Sequence, residues 1–335
     1  MTSLSYILLF FTTILLIYFI KSHAEKFGLI DIPNGRSSHN NHTPKGAGIG
    51  FFLAVVFISP FLYSSILKEY IWVFLAIFLV FIVGILDDRH DVSPKSKFVV
   101  IIIATFLLYM NDMYISQLGM YFGYEINLGW FALPFTIFAV VGFTNALNLI
   151  DGLDGLAATI GIIMLSAFCI IGYQNDDLFM LSLSSMFIVS LLAFLIFNWY
   201  PASIFMGDSG SLTLGFVIAV LAIKSLNYIP TASILLITAV PLLDTIIVML
   251  RRKLKGKSMF AADRCHMHHI LRHVFSENTP KTVLFLGALQ SILTFFGLQL
   301  HKGIREEYIL GLFLLNVIFL YRFLAQMIKK QKREC

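Results

Sequence analysis

Charged side chains are scarce in this sequence. Asp, Glu, Lys and Arg make up 13% of the 335 residues, hydrophobic residues 58%, and the mean hydropathy is +0.85. That balance excludes an ordinary soluble domain, in which roughly a quarter of the residues are charged. Cysteine is nearly absent: Cys169, Cys265 and Cys335 are the only three, and no disulfide framework is implied. The chain has no low-complexity linker and no inverted or parallel repeat of the kind many transporters carry. A single membrane domain over residues 1–335 is expected, with membrane lipid as its surroundings and no nucleic-acid partner.

What the sequence does have is long uncharged runs. A hydrocarbon core about 30 Å thick needs roughly 20 apolar residues per helix. Eleven runs of about that length occur, near residues 4–20, 47–67, 70–86, 97–113, 130–147, 155–173, 178–197, 209–226, 231–250, 282–300 and 307–327. They are too long and continuous for the alternating strands of a membrane barrel. The expected fold is therefore all-α, a polytopic bundle of about 11 transmembrane helices.

No Lys or Arg precedes the first run, while Lys21 and Lys26 follow it. This is the charge order of a retained anchor with its N-terminus outside, not of a cleaved signal. With eleven alternating spans, only Lys68, Lys224, Lys302 and Arg305 of the 24 basic residues fall on the outer side. The bias places the C-terminus in the cytoplasm.

On that orientation the outer loops carry nothing chemical, and five inner segments are dense in Asp, Asn, Gly and His. The first runs from Asp31 to Gly48. Its Pro and Gly make it a loop, and Arg36, His39 and Lys45 could meet phosphate or simply be juxtamembrane basic residues. The second, Asp87-Asp88-Arg89-His90-Asp91, ends the third run. Two adjacent carboxylates lie about 100° apart on a helix and fit two ligands of one ion, or one ligand and one base. They are unfavourable at a helix C-terminus without a compensating cation, from a metal or from a nearby Lys or Arg.

In the third segment, Asn145, Asn148, Asp151 and Asp154 recur every three residues, which keeps them roughly on one helical face. Capping explains Asp154 alone. Four polar groups so near lipid call for a bound partner. The fourth segment runs from Asn198 to Gly215. Its Gly207-Asp208-Ser209-Gly210-Ser211 turn feeds a helix N-terminus, which favours an anion, while Asp208 would attract a divalent cation able to bridge to a diphosphate. The fifth holds Asp263-Arg264-Cys265-His266-Met267-His268-His269. It lacks the separated ligand pairs of structural zinc sites, and imidazoles with Arg264 beside a diphosphate fit it better.

In this order, these segments resemble the polyprenyl-phosphate N-acetylhexosamine-1-phosphate transferase superfamily, glycosyltransferase family 4, over almost the whole chain. The His266-Met267-His268-His269 cluster looks like the undecaprenyl-phosphate N-acetylglucosamine-1-phosphate transferase branch, with Met267 in place of Ile. The resemblance implies an enzyme of the bacterial inner (plasma) membrane that starts an envelope polysaccharide from the cytoplasmic side. It would move GlcNAc-1-phosphate from a UDP-sugar to undecaprenyl phosphate and release UMP. Other UDP-N-acetylated sugars, UDP-MurNAc-pentapeptide included, are the alternative substrates, and the stretch from Asp31 to Gly48 looks closer to enzymes using such sugars.

By the same resemblance Asp87, Asp88, Asp208, Arg264, His266, His268 and His269 are catalytic. Asp208, with Asp87 and Asp88, would hold Mg²⁺ (Mn²⁺ as alternative). Lys45, Asn145, Asn148, Asp151, Asp154 and Asn198 would bind substrate, Asn198 at the uracil. A homodimer is an expectation of the family alone. The rival from another class, a lipid or ion transporter, would place ionisable groups near the midplane. Only Asp244, within the ninth run, does so.

Overall fold

A computed structural model of the chain describes residues 2–31, 42–259 and 265–330. Helices dominate: α1 (Thr2–Phe27), α2 (Ala47–Glu69), α3 (Ile71–His90), α4 (Pro94–Tyr109), α5 (Ala132–Ile150), α6 (Leu156–Gln174), α7 (Leu178–Asn198), α8 (Asp208–Ser225), α9 (Thr231–Ile237), α10 (Ala239–Leu254), α11 (Met267–Val274), α12 (Thr279–Leu300) and α13 (Glu306–Lys330). Every apolar run is helical, and among the described residues eight helices are long and apolar enough to cross a membrane. The chain is a multi-pass helical membrane protein. The bent pair α9 and α10 makes a ninth span if counted as one.

Three features depart from the expected pattern. Helix α4 starts at Pro94, three residues before the uncharged run. Ser93 caps it by accepting the Ser96 N–H at 3.2 Å, with Pro94 at the first helical position. The ninth run is broken, its halves meeting at 89°. Gln290 of α12, fully buried, mends the break: its Oε1 accepts the Val240 N–H at 2.9 Å and its Nε2 donates to the Ile237 carbonyl at 2.6 Å. A break inside a membrane bundle persists only where freed backbone groups find such partners.

The chain is also not purely helical. Strands β1 (Ile30–Asp31) and β2 (Thr43–Pro44) pair antiparallel, as do β3 (Gln117–Tyr121) and β4 (Tyr124–Asn127). The second hairpin turns at Phe122 and Gly123, both at positive φ, the backbone hand that two-residue hairpins favour.

Helix α8 occupies the centre. It packs on α3, α5, α2 and α6, and 83% of its apolar window is buried, against 22% for α1 and 28% for α13. Lipid tails are as apolar as Leu, so such packing rests on close approach through small residues. Gly215 supplies one contact, its absent Cβ lying 3.0 Å from the Thr144 backbone of α5. At the opposite end of α8 from Asp208, a cavity of about 1160 Å³ is lined by Tyr70, Asn111, Lys224, Tyr228, Arg305 and other residues, none from the five motif segments.

Candidate active site

The site is organised around the first turn of α8. Its leading backbone N–H groups have no intrahelical acceptors, and Asp88, at the end of α3, supplies them. Asp88 Oδ1 accepts the Asp208 N–H at 2.8 Å and Oδ2 accepts the Ser209 N–H at 3.0 Å. The anion that this helix N-terminus attracts is therefore the protein's own carboxylate. Gly207 must be glycine, because its φ is 75° and a Cβ there would lie 2.6 Å from both Asp88 oxygens. A Cβ on Gly84 would meet the Asp208 carbonyl at 2.6 Å, and one on Gly48 would meet the Gly210 nitrogen at 2.1 Å. The turn is thus wedged between the backbones of α2 and α3.

Held there, the Asp208 side chain meets three other helices. Lys97 of α4 donates from Nζ to Asp208 Oδ2 at 2.8 Å and lies 3.1 Å from Asp87 Oδ2 of α3. Asn148 of α5 donates from Nδ2 to Asp208 Oδ1 at 3.1 Å and to Ser211 Oγ at 2.8 Å. Two carboxylates facing one ammonium leave the cluster short of positive charge, which favours a further cation. Oxygen donors of this kind suit a hard divalent ion, and Mg²⁺ commonly takes only one or two protein carboxylates, with phosphates and water completing its sphere. Asp87 and Asp208 fit that role. Asp88 is turned to the α8 backbone, each of its oxygens accepting one amide N–H. No group of three or more His, Cys, Asp or Glu able to hold a metal occurs among the described residues.

Helix α5 stops at Ile150. Asn145 and Asn148 share a helical face, but Asp151 and Asp154 lie in the turn that follows, so the one-face expectation is corrected for them. The turn is clasped to the segment after α7. Asn198 Oδ1 accepts the Gly155 N–H at 2.9 Å, Asn198 Nδ2 donates to the Ile204 carbonyl at 3.0 Å, and Asp154 Oδ2 accepts the Ala202 N–H at 2.9 Å. Asn198 is 3% exposed and both ends of its amide serve this clasp, so in the protein alone it joins two stretches of backbone.

Asp151 faces a hostile environment. Burial first, then the charges of Asp208, Asp88 and Asp154, push its carboxyl up to about 7. The folded chain holds this proton more tightly than the unfolded chain, so the stability Asp151 contributes is fully present below about pH 4 and lost as pH rises through 7. Asp151→Asn should therefore unfold about 2–4 °C above the parent at pH 8 and level with it near pH 4. Thermal-shift scans across that range check this.

The histidine segment packs against the same turn. His268 is 1% exposed, and a Cβ on Gly152 would lie 2.5 Å from its Nε2. Neither of its ring nitrogens has a hydrogen-bond partner among the described residues. Asp244 Oδ2 is 3.9 Å from Nδ1, beyond hydrogen-bond reach. Burial, then His269, push His268 down to about 3. The proton is therefore disfavoured on this ring in the protein alone. His266 instead pairs with Asp244 at 2.8 Å. His269 is partly exposed, its ring 4.2 Å from that of His268.

Comparison with known proteins points the same way. The profile described as Glycosyl transferase family 4 matches residues 70–226. A relative from Bacillus subtilis (strain 168), "Probable undecaprenyl-phosphate N-acetylglucosaminyl 1-phosphate transferase", is 35% identical over 274 residues, 80% of this chain and 76% of the relative. An undecaprenyl-phosphate alpha-N-acetylglucosaminyl 1-phosphate transferase from Yersinia pestis is 32% identical over 99% of this chain and 95% of its own. Its counterpart from Escherichia coli (strain K12) is 29% identical over 97% and 93%. The chain belongs to glycosyl transferase family 4.

In this family 4 chain the structure brings Asp87, Asp88, Asn148 and Asp208 into one cluster, with Asp151 and Asp154 on the turn beside it and His268 of α11 packed against that turn. Asn145 sits one turn earlier on α5, and Lys45, partly exposed, precedes α2, where the Ala47 and Gly48 amides donate to the Phe205 and Met206 carbonyls. Neither side chain has a partner among the described residues. Arg264, Arg36 and His39 lie outside them. Two central residues were not singled out from sequence. Lys97 stood out only as a nearby cation, although the Ser93-Pro94 start signal could have placed it in the first turn of α4. Ser211 had no signal beyond its motif.

Proposed function

We propose that this family 4 enzyme transfers N-acetylglucosamine 1-phosphate from UDP-N-acetylglucosamine to undecaprenyl phosphate, giving undecaprenyl-pyrophosphoryl-N-acetylglucosamine and UMP, at the start of a cell-envelope polysaccharide. The observation that carries this reading is the meeting of Asp87, Lys97, Asn148 and Asp208 from four helices. The names of the relatives supply the sugar and the lipid. We place eleven spans in a bacterial plasma membrane, with the N-terminus outside and the site and C-terminus cytoplasmic. The charge asymmetry of the loops supports that orientation.

Both nucleophile and leaving group are phosphates, so positioning and charge neutralisation can carry the reaction without a side-chain nucleophile. Asp208 and Asp87 would hold Mg²⁺, which when bound offsets the charge of the diphosphate. Lys97 brings a fixed positive charge to the same place, and Lys45 and Arg264 offer others to the two anionic substrates. A lipid phosphate with a second pKa of about 6 is mostly dianionic at neutral pH, so it needs little help from a base. Asp87, paired with Lys97, would support Asp208 at the metal. Asp88 holds Asp208 in place through the backbone.

The test incubates purified full-length protein with Mg²⁺, undecaprenyl phosphate and a panel of UDP-sugars, scoring UMP and lipid-linked product. UDP-N-acetylglucosamine should give both, in equal amounts. UMP released without the lipid acceptor would identify a hydrolase, and preference for another UDP-sugar would reassign the donor.

A further inference from the structure

Asp244 is the one charged residue of the ninth apolar run, in α10 and 2% exposed. A carboxylate buried in such a run is costly unless it is paired, and this one is paired twice. Its Oδ2 lies 2.8 Å from His266 Nδ1, and its Oδ1 accepts the Met267 N–H at 2.6 Å. The carboxylate thus grips the first two residues of the His266-Met267-His268-His269 segment and supplies the cap that His266 does not provide for α11. Two turns along α10, Arg251 donates from both terminal nitrogens to the Cys265 carbonyl at 3.0 Å. One helix therefore holds the segment on either side of its start. The other flank closes through the rings. His266 stacks on His268 at 5.7 Å and 17°, and His268 packs on Gly152 beside Asp151.

We infer that Asp244 is a positioning residue for the transfer reaction. By accepting a proton-bearing Nδ1 it fixes the tautomer and angle of His266, so that Nε2 is the ring atom that serves the nucleotide sugar. Asp244 touches no substrate itself. Its buried charge orients an imidazole, and it marks no transport pathway. The inference rests on the transfer reading above, and one of its readouts is independent of turnover.

The experiment uses the full-length protein labelled with ¹⁵N-histidine, with His266→Gln to identify the His266 signals. The unmodified protein should show His266 with hydrogen on Nδ1, and Asp244→Asn should move those signals toward a mixture of tautomers. A parent His266 carrying its hydrogen on Nε2 would overturn the inference, and this measurement needs no variant of Asp244 to fold. In transfer assays Asp244→Asn and His266→Gln should each lower kcat about 10- to 100-fold. The double variant should be no slower than the slower single one, because both changes remove the same device. Multiplying losses, or parent-like His266 signals in Asp244→Asn, would also overturn it. A parent that shows the coupled tautomer yet transfers no sugar phosphate would overturn the assigned reaction, and with it the role in transfer, while the Asp244–His266 coupling itself would stand.

Discussion

Replacing Asp208 with asparagine should lower transfer about a thousandfold while leaving the protein folded. The side chain is isosteric, and the contacts that seat the first turn of α8 involve the backbone of residue 208. Asp88 accepts its N–H, and Gly84 makes room for its carbonyl. What changes is charge. Asp208 receives Lys97 and Asn148 on its two oxygens, and an amide offers only one acceptor and no negative charge to a divalent cation. Raising Mg²⁺ should restore little of the rate, and the melting temperature should stay within a few degrees of the parent. Transfer at the parental rate would remove Asp208 from the metal site.

Lys97→Gln should cost about a hundredfold in kcat, with an additional signature. The ammonium lies 2.8 Å from Asp208 and 3.1 Å from Asp87, so it offsets the charge these two side chains carry in the protein alone. Without it, two negative groups face each other and attract a divalent ion more strongly. The Mg²⁺ concentration for half-maximal rate should fall even as the rate at saturation drops, because a fixed positive charge near the phosphates is gone. Initial rates over a Mg²⁺ series read both numbers. A rise in the Mg²⁺ requirement would mean that Lys97 helps to bind the metal and does not compete with it.

The parts of this molecule that sequence revealed are those governed by short-range rules. Uncharged runs of about 20 residues become helices in a bilayer, and each run is helical here, the ninth in two pieces and eight of the helices long and apolar enough to cross a membrane. The motif segments fall together because each lies at a helix end, and Asp87, Asn148 and Asp208 meet as their order suggested. What stayed hidden depends on partners distant in sequence. The break at Thr238 leaves no mark in an apolar run, because it is repaired by Gln290 from α12. Asp88 and Asp87 look equivalent as neighbours, yet a rotation of about 100° turns one toward the α8 amides and the other toward Lys97. Asn198 looks like a ligand group because it is polar at the membrane edge, and the structure uses it to join two stretches of backbone. The three-residue spacing of Asn145, Asn148, Asp151 and Asp154 suggested a continuous helix, but the chain turns after Ile150 and reaches the same neighbourhood by a different path.

Asp151 illustrates a tension common in working sites, where a residue can lower stability and still be kept. An acidic group pushed up to about 7 by burial and by three other carboxylates is strained in the free protein and relieved by whatever positive charge arrives. The same crowding that makes Asp151→Asn more heat-resistant at pH 8 prepares the pocket for a cationic partner.

The seating of α8 has a consequence for life in a changing membrane. Peripheral helices such as α1 and α13 meet acyl chains along most of their length and must tilt or shift when bilayer thickness varies. The helix bearing Asp208 is screened from lipid on nearly every side and locked at its first turn between two glycine-lined backbones. Its carboxylate is referenced to the protein interior and not to the bilayer, so growth temperature or lipid composition can deform the rim of the bundle without displacing the reacting groups.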